Sequence, residues 1–190
     1  MIEDIDSNVK LTLSKSQSIF DVVQRLEPKV DKIDSKVMDI DLRTRIIRTI
    51  QRVDKQDYHI SDVHNDRVYV YSKQEVAFEL KKENDKCELM GGYLLELDDE
   101  AEKLYTLDLA KKIGGDARFA LGGNDVATEG TWVYYHSKKP VPSDVQWLPG
   151  EPNNHAAGEN CMAFRMTHNG LNDFPCGQNA RFICELPLAP

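Results

Sequence analysis

Apolar residues in the first 55 positions recur in alternating steps of three and four. One heptad position takes Ile2, Val9, Ser16, Val23, Val30, Val37, Thr44 and Gln51, and the other takes Ile5, Thr12, Ile19, Leu26, Ile33, Ile40 and Ile47. Eleven of these fifteen residues are Ile, Val or Leu, and no glycine interrupts them. A seam kept in register over so many heptads predicts a coiled coil, because a lone helix of 3.6 residues per turn would drift off it. Mostly Ile at the second position and mostly Val at the first favour more than two strands, so residues 1–55 predict a parallel homotrimer. Pro28 lies on the outer face and predicts either a kink or a helix that starts near it. Ile46, Ile50 and Val53 make a stripe off the seam, which predicts a stutter near its end. The competing reading is a helical hairpin packed on the rest of the chain.

The period then changes. Residues 55–66 have the texture of a junction. Val68–Tyr71 reads as a strand. Ser72 and Glu75 have capping-box spacing, which predicts a helix carrying Val76, Leu80 and Cys87 on one face. Gly91-Gly92 ends it. Asp98-Asp99-Glu100 opens a second helix, with acids in its first turn, that stops at Gly114-Gly115. Beyond Phe119, short apolar pieces alternate with Gly, Pro, Asn and Asp: Ala120–Gly122, Trp132–Tyr135, Cys161–Met166 and Arg181–Cys184. Two helices followed by short strands and long loops predict an α+β domain over residues 57–190, behind a neck of residues 1–56. The stretch 137–160 is long for a loop of a compact domain, which marks it as a functional candidate.

Composition narrows the partners. The net charge of −8, from 24 basic and 32 acidic residues, excludes the basic stripe of a nucleic-acid surface and favours cations. No apolar run reaches the roughly 18 residues of a membrane span, and the acidic start Met-Ile-Glu-Asp lacks the apolar core of a signal peptide. The four cysteines, Cys87, Cys161, Cys176 and Cys184, contain no C-x-x-C pair, so zinc has little support. An even number in one region predicts two disulfides and a secreted protein, with all three pairings open on spacing alone.

The candidate chemistry lies in Gly150–Cys161, "GEPNNHAAGENC", which offers Glu151, Asn153, Asn154, Glu159 and Asn160. A second polar cluster, Asn169–Asp173, follows across an apolar segment. If that segment is a strand and Asn172-Asp173 begins the next, the clusters meet at one end. An all-oxygen set of carboxylates and amides suits calcium, which takes six to eight oxygens, and not zinc or copper. A solvated turn region rich in Asn and Gly is the plainer alternative.

These residues, taken with the order of the cysteines, resemble the C-type lectin domain in its mannose-binding, collectin-like branch. The resemblance covers residues 67–190 and rests on Cys87, Gly91-Gly92 with Leu94, Leu121-Gly122 and Trp147. It rests equally on Glu151-Pro152-Asn153, Gly158–Cys161, Asn172-Asp173 before Cys176, and Phe182–Glu185. It implies the pairings Cys87–Cys184 and Cys161–Cys176 and a cis peptide before Pro152. It implies a calcium held by Glu151, Asn153, Glu159, Asn172 and Asp173, the last also through its carbonyl. Two vicinal sugar hydroxyls would complete the shell, donating to Glu151 and Glu159 and accepting from Asn153 and Asn172. Glu-Pro-Asn goes with equatorial 3- and 4-hydroxyls, as in mannose, N-acetylglucosamine, glucose and fucose, whereas galactose-type members usually carry Gln-Pro-Asp.

Two further expectations follow from the resemblance. His155 and Phe174 flank the ligands and either pack on the sugar ring or only shape the loop. A second calcium set would be Asp125, Glu129, Asn154, Glu159 and Asn160, weakened because the family typically has Asp at the positions of Asn154 and Asn160. Leu171 stands where the family usually has Trp, and reads as a core substitution. No helical or nucleophile-elbow framing surrounds His155 and Glu159, so the expectation is a binding protein and not an enzyme. The alternative is a lectin-like module for a protein or mineral surface.

Overall fold

The computed structural model describes the backbone of residues 2–188 and the side chains of residues 22–156 and 158–188. The seam positions Ile2 to Ile19 therefore lie outside the described side chains. Contacts divide the chain into two compact units, Met1–Thr44 and Arg45–Pro190.

A single helix, α1 (Ile2–Ile50), occupies the heptad region, so no helical hairpin forms. It runs through Pro28 and does not begin there. The apolar seam keeps its register on both sides of the proline, and Pro28 is exposed. Val23, Leu26, Val30, Ile33, Val37 and Ile40 are about half exposed or more on this single chain, at 45–64%. Within the second unit the off-seam stripe has a different fate. Val53 is buried in the core, and Ile46 and Ile50 pack against it. The off-register stripe is the surface that docks the end of α1 on the domain.

The second unit is α+β. Its strands are β1 (Tyr58–Ile60), β2 (Arg67–Ser72), β3 (Val76–Ala77), β4 (Tyr93–Leu94), β5 (Arg118–Asn124), β6 (Val133–Tyr134), β7 (Cys161–Arg165), β8 (Gly170–Phe174) and β9 (Asn179–Pro187), with helices α2 (Leu80–Leu89) and α3 (Glu100–Gly114). The sheet order is β1-β2-β9-β5-β7-β8, with β3 and β4 also on β9 and β6 on β5. β2 and β9 pair antiparallel from Arg67↔Pro187 to Tyr71↔Ile183, which closes the domain on itself.

Two expectations need correction. The junction contains β1, whose Tyr58 and Ile60 pack on the core. The first domain helix starts at Leu80, not after Ser72. Ser72 is buried at the end of β2, where its hydroxyl accepts from Phe182 N, and Val76–Ala77 pairs with β9. A Ser with Glu three residues on starts a helix only if the hydroxyl is free to cap, and here the sheet has taken it. At α3 the expected signals act as read: Asp99 accepts from Glu102 N at 2.8 Å, and Glu102 reaches back to Asp98 N.

Two cores flank the sheet. Val68, Val70, Ala120, Ala163, Phe174 and Phe182 belong to one. Tyr69, Tyr71, Phe119, Leu121, Phe164 and Leu171 belong to the other, so alternation along each strand assigns the two faces. Leu171 is fully buried, as a core residue should be. Arg67 ties the ends of the domain together, pairing with Asp98, Glu102 and Glu185 at 2.6, 3.0 and 2.8 Å. The bridges are Cys87–Cys184 and Cys161–Cys176, which are the pairings the resemblance implied.

Candidate functional site

The long polar stretch is ordered by anchors at its ends and middle. Val141 N donates to Trp132 O, Gln146 N to Glu100 Oε2, and Lys103 Nζ to Gln146 O at 2.8 Å. Leu148 N donates to Leu171 O at 3.0 Å, and Trp147 packs edge-on against Trp132 at 4.7 Å. The chain thus enters the site beside β8, where Asn172 and Asp173 lie. The Glu151–Pro152 peptide is cis. Asn154 and Ala156 adopt left-handed conformations, φ 45° and 55°, which fold the next four residues into a tight turn.

Asp173 organises this turn. Its Oδ2 accepts from the backbone N–H groups of Asn153 and Asn154 at 3.0 and 2.7 Å. Glu159 Oε2 accepts from His155 N at 3.0 Å, and Asn154 Oδ1 accepts from Glu159 N at 3.0 Å. Asn172 Nδ2 donates to the carbonyl of Asp173. The fold therefore brings Asn153, Asn154 and Glu159 of one loop to Asn172 and Asp173 of β8. The meeting depends on β7 and β8 pairing in the register Cys161↔Phe174 through Arg165↔Gly170. The Cys161–Cys176 bridge, Cα to Cα 5.3 Å, closes the same end.

Electrostatically the site is unfinished. Glu151 Oε2 and Asp173 Oδ1 are both buried and meet no hydrogen-bond donor. Glu151 is held above the ordinary carboxylate range, first by burial, then by the neighbouring Asp173 carboxyl and the charge of Glu159, with Arg165 opposing. Buried carboxylate oxygens without donors are costly, and two side by side repel. A hard cation among them removes both costs. The donor set of carboxylates and amides fits calcium. Among the described residues no three His, Cys, Asp or Glu side chains cluster closely enough to hold a metal ion by themselves.

The other expected residues fall as follows. His155 is exposed at the rim. Phe174 is fully buried, 5.8 Å from the Phe78 ring, so it shapes the loop from beneath and is not available to a sugar. In the second set, Asp125 is buried with Oδ2 on Gly130 N at 2.8 Å and Oδ1 without a partner. Its backbone N donates to Asn160 O at 3.3 Å. Glu129 is exposed, and the Asn154 oxygen is already committed to Glu159 N. Arg165 was missed in the sequence. Its Nη1 lies 3.5 Å from Asn172 Oδ1. Strand alternation puts residue 165 on the face of Asn172, but only once the pairing register is known.

Residues 78–186 match the family model for the lectin C-type domain, more than half of the chain. The chain belongs to the C-type lectin domain family. It is a binding module, not an enzyme, and the cysteine pairing and the buried Leu171 are read within that family. The chain is 29% identical to a hepatic lectin of Gallus gallus over 122 residues, 64% of this chain and 56% of that protein. It is 27% identical to Collectin-10 of Xenopus tropicalis over 164 residues, 86% of this chain and 53% of that protein, a match that reaches back into α1. The chain thus spans about half the length of these relatives. The fold is that of the C-type lectin CEL-I from Cucumaria echinata, at a TM-score of 0.59 and 20% identity over 72% of this chain and 99% of that one. No described helix of this lectin-domain chain is long and apolar enough to cross a membrane.

Proposed function

We propose that the protein is a secreted, calcium-dependent lectin for mannose-type sugars, made multivalent by a trimeric neck. The observation that carries the calcium reading is the pair of buried, partnerless carboxylate oxygens on Glu151 and Asp173. When bound, calcium supplies coordination positions for two vicinal hydroxyl oxygens of the sugar. The protein's own groups do the rest. Glu151 and Glu159 accept the hydroxyl protons. Asn153 and Asn172 donate their amide N–H groups to the same oxygens. Asp173 fixes the loop through the Asn153 and Asn154 N–H groups, so that these partners are in place before the ligand arrives.

The order Glu151-Pro152-Asn153 supports equatorial 3- and 4-hydroxyls, as in mannose, N-acetylglucosamine, glucose and fucose. The hepatic lectin and collectin relatives support a carbohydrate ligand in general. One calcium per chain is the expected load, because Asn154 and Asn160 bring no charge to the second set. Residues 1–56 serve as the neck and 57–190 as the recognition domain, with Ile46, Ile50 and Val53 at the end of the neck packed into the domain core. The half-exposed aliphatic seam of α1 supports self-association, and its Val and Ile content supports three strands. Retention on mannose-agarose with calcium and elution by a chelator is the expected result. Retention that survives the chelator, or a preference for galactose-agarose, would count against this reading.

A further inference from the structure

We propose that Arg118 and Arg165 form an anion subsite beside the calcium-ligand cluster, so that the preferred glycan carries an oxyanion substituent, a sulfate ester or a carboxylate, next to the sugar held there. The inference rests on the lectin reading above and names the substrate class of that same site.

Arg118 and Arg165 are direct cross-strand partners on β5 and β7, so their side chains leave the same face of the sheet. Asn172 shares that face, because its β7 partner is Ala163, two residues from Arg165. The row Asn172, Arg165, Arg118 thus runs outward from the calcium-ligand cluster across three strands. Like charges placed directly opposite destabilise a sheet. A counter-charge would be easy to supply in a chain with 32 acidic residues. Yet among the described residues neither guanidinium makes a close ion pair with a carboxylate, although the charges of Glu159 and Glu75 reach Arg118 and that of Arg165 reaches Glu151. Arg67, by contrast, is met by three.

The two heads are held rather than paired. Arg118 donates Nη1 to the neutral Gln178 Oε1 at 3.1 Å and lies over the Phe174 ring at 4.9 Å, with its Nε buried and without an acceptor. Burial first, and then the charge of Arg165, hold its guanidinium below the ordinary arginine value, with the charges of Glu159 and Glu75 opposing. Both residues are half-buried, and Arg165 Nη1 lies 3.5 Å from Asn172 Oδ1. A planar fork fixed in this way binds sulfate or carboxylate oxygens without further ordering. The anion would relieve the repulsion between the two arginines.

The test is calorimetric or competitive titration of the full chain in saturating calcium. Three probes share equatorial 3- and 4-hydroxyls: methyl N-acetylglucosaminide, its 6-O-sulfate and methyl glucuronide. At about 0.05 M salt, at least one charged probe is expected to bind about tenfold more tightly than the neutral one. The gain should shrink at about 0.5 M salt, where charges are screened within a few ångströms. A gain for the 6-O-sulfate alone assigns a sulfate ester, a gain for the glucuronide alone assigns a carboxylate, and both assign the shared oxyanion chemistry. Arg118→Gln should remove most of the gain and leave the neutral probe unchanged, while Arg118→Lys should retain part of it. The proposal is overturned, and the lectin reading kept, if the neutral probe binds and neither charged probe gains. It is overturned equally if Arg118→Gln weakens all three probes alike or leaves the gain intact. A neutral probe that fails to bind at all overturns the lectin reading, and this inference with it.

Discussion

At the residue scale, Glu151 and Asp173 decide the chemistry. Each presents a buried carboxylate oxygen with no donor, and Glu151 is held above its ordinary value by burial and by its acidic neighbours. The same feature has opposite effects with and without calcium. Glu151→Gln is expected to lower calcium affinity at least about tenfold, because one charged ligand is gone. In chelator it should raise the melting temperature by about 2 °C or more, because one of two repelling charges is gone. Calorimetry and thermal unfolding of the same two proteins check both signs. Loss of calcium affinity with no gain in chelator would show that the cluster is not strained. The pH dependence follows from the raised value. In the calcium-free protein, Glu151 binds its proton more tightly folded than unfolded, so its contribution to stability is present in acid and is lost as pH rises through its folded value. Calcium must displace that proton, so its affinity falls with acidification, beginning above the ordinary carboxylate range. The difference in melting temperature between calcium and chelator should therefore narrow steadily from pH 7.5 to pH 5. A constant difference across that range would exclude Glu151 as a ligand.

At the scale of elements, Arg67 joins β2, the start of α3 and β9 by pairing with Glu102 and Glu185, which are 3% and 1% exposed. Burial pushes Glu185 up to about 7, against the pull of Arg67. Removing the guanidinium leaves two buried carboxyls uncompensated, so Arg67→Ala should cost about 3–5 kcal/mol in denaturant unfolding. Glu185 obeys the same sign rule as Glu151: its contribution is lost as pH rises through about 7. Glu185→Gln should flatten the dependence of stability on pH between about 4.5 and 7, which urea titrations across that range check. How legible an element was depended on whether its signal was local. α3 was readable because Asp99 and the closing glycines cap it within its own sequence. The start of α2 was not, because Ser72 is claimed by Phe182, 110 residues away. β1 was hidden because a three-residue strand carries almost no period of its own.

At the scale of the whole molecule, the end of α1 belongs with the recognition domain. Ile46 and Ile50 pack on its core and Val53 is buried within it. Two truncations should therefore differ. A chain lacking residues 1–44 should keep its single-site sugar affinity and melting temperature, and lose a factor of about 10² to 10⁴ in binding to a mannan surface. A chain lacking residues 1–55 should also lose stability, by about 1.5–3 kcal/mol for each well-buried aliphatic removed. Surface binding and denaturant unfolding of both chains separate avidity from folding. Equal surface affinity with and without residues 1–44 would show that the helix does not gather several sites.

The residues alone determined the heptad seam, the α+β class and the two oxygen-rich clusters, because period, cap and ligand chemistry are local properties. The resemblance added the cysteine pairing and the ligand set. Tertiary structure decided what depends on partners far apart in the chain. It turned Ile46, Ile50 and Val53 from a stutter in the seam into a docking face. It put Phe174 beneath the site, because β8 alternates and its even-numbered residues face one core. It left oxygens of Glu151 and Asp173 buried without a donor, a property of atoms enclosed from several elements that composition cannot express. And it set Arg118 beside Arg165, which are 47 positions apart and acquire a common neighbour only when β5 and β7 pair.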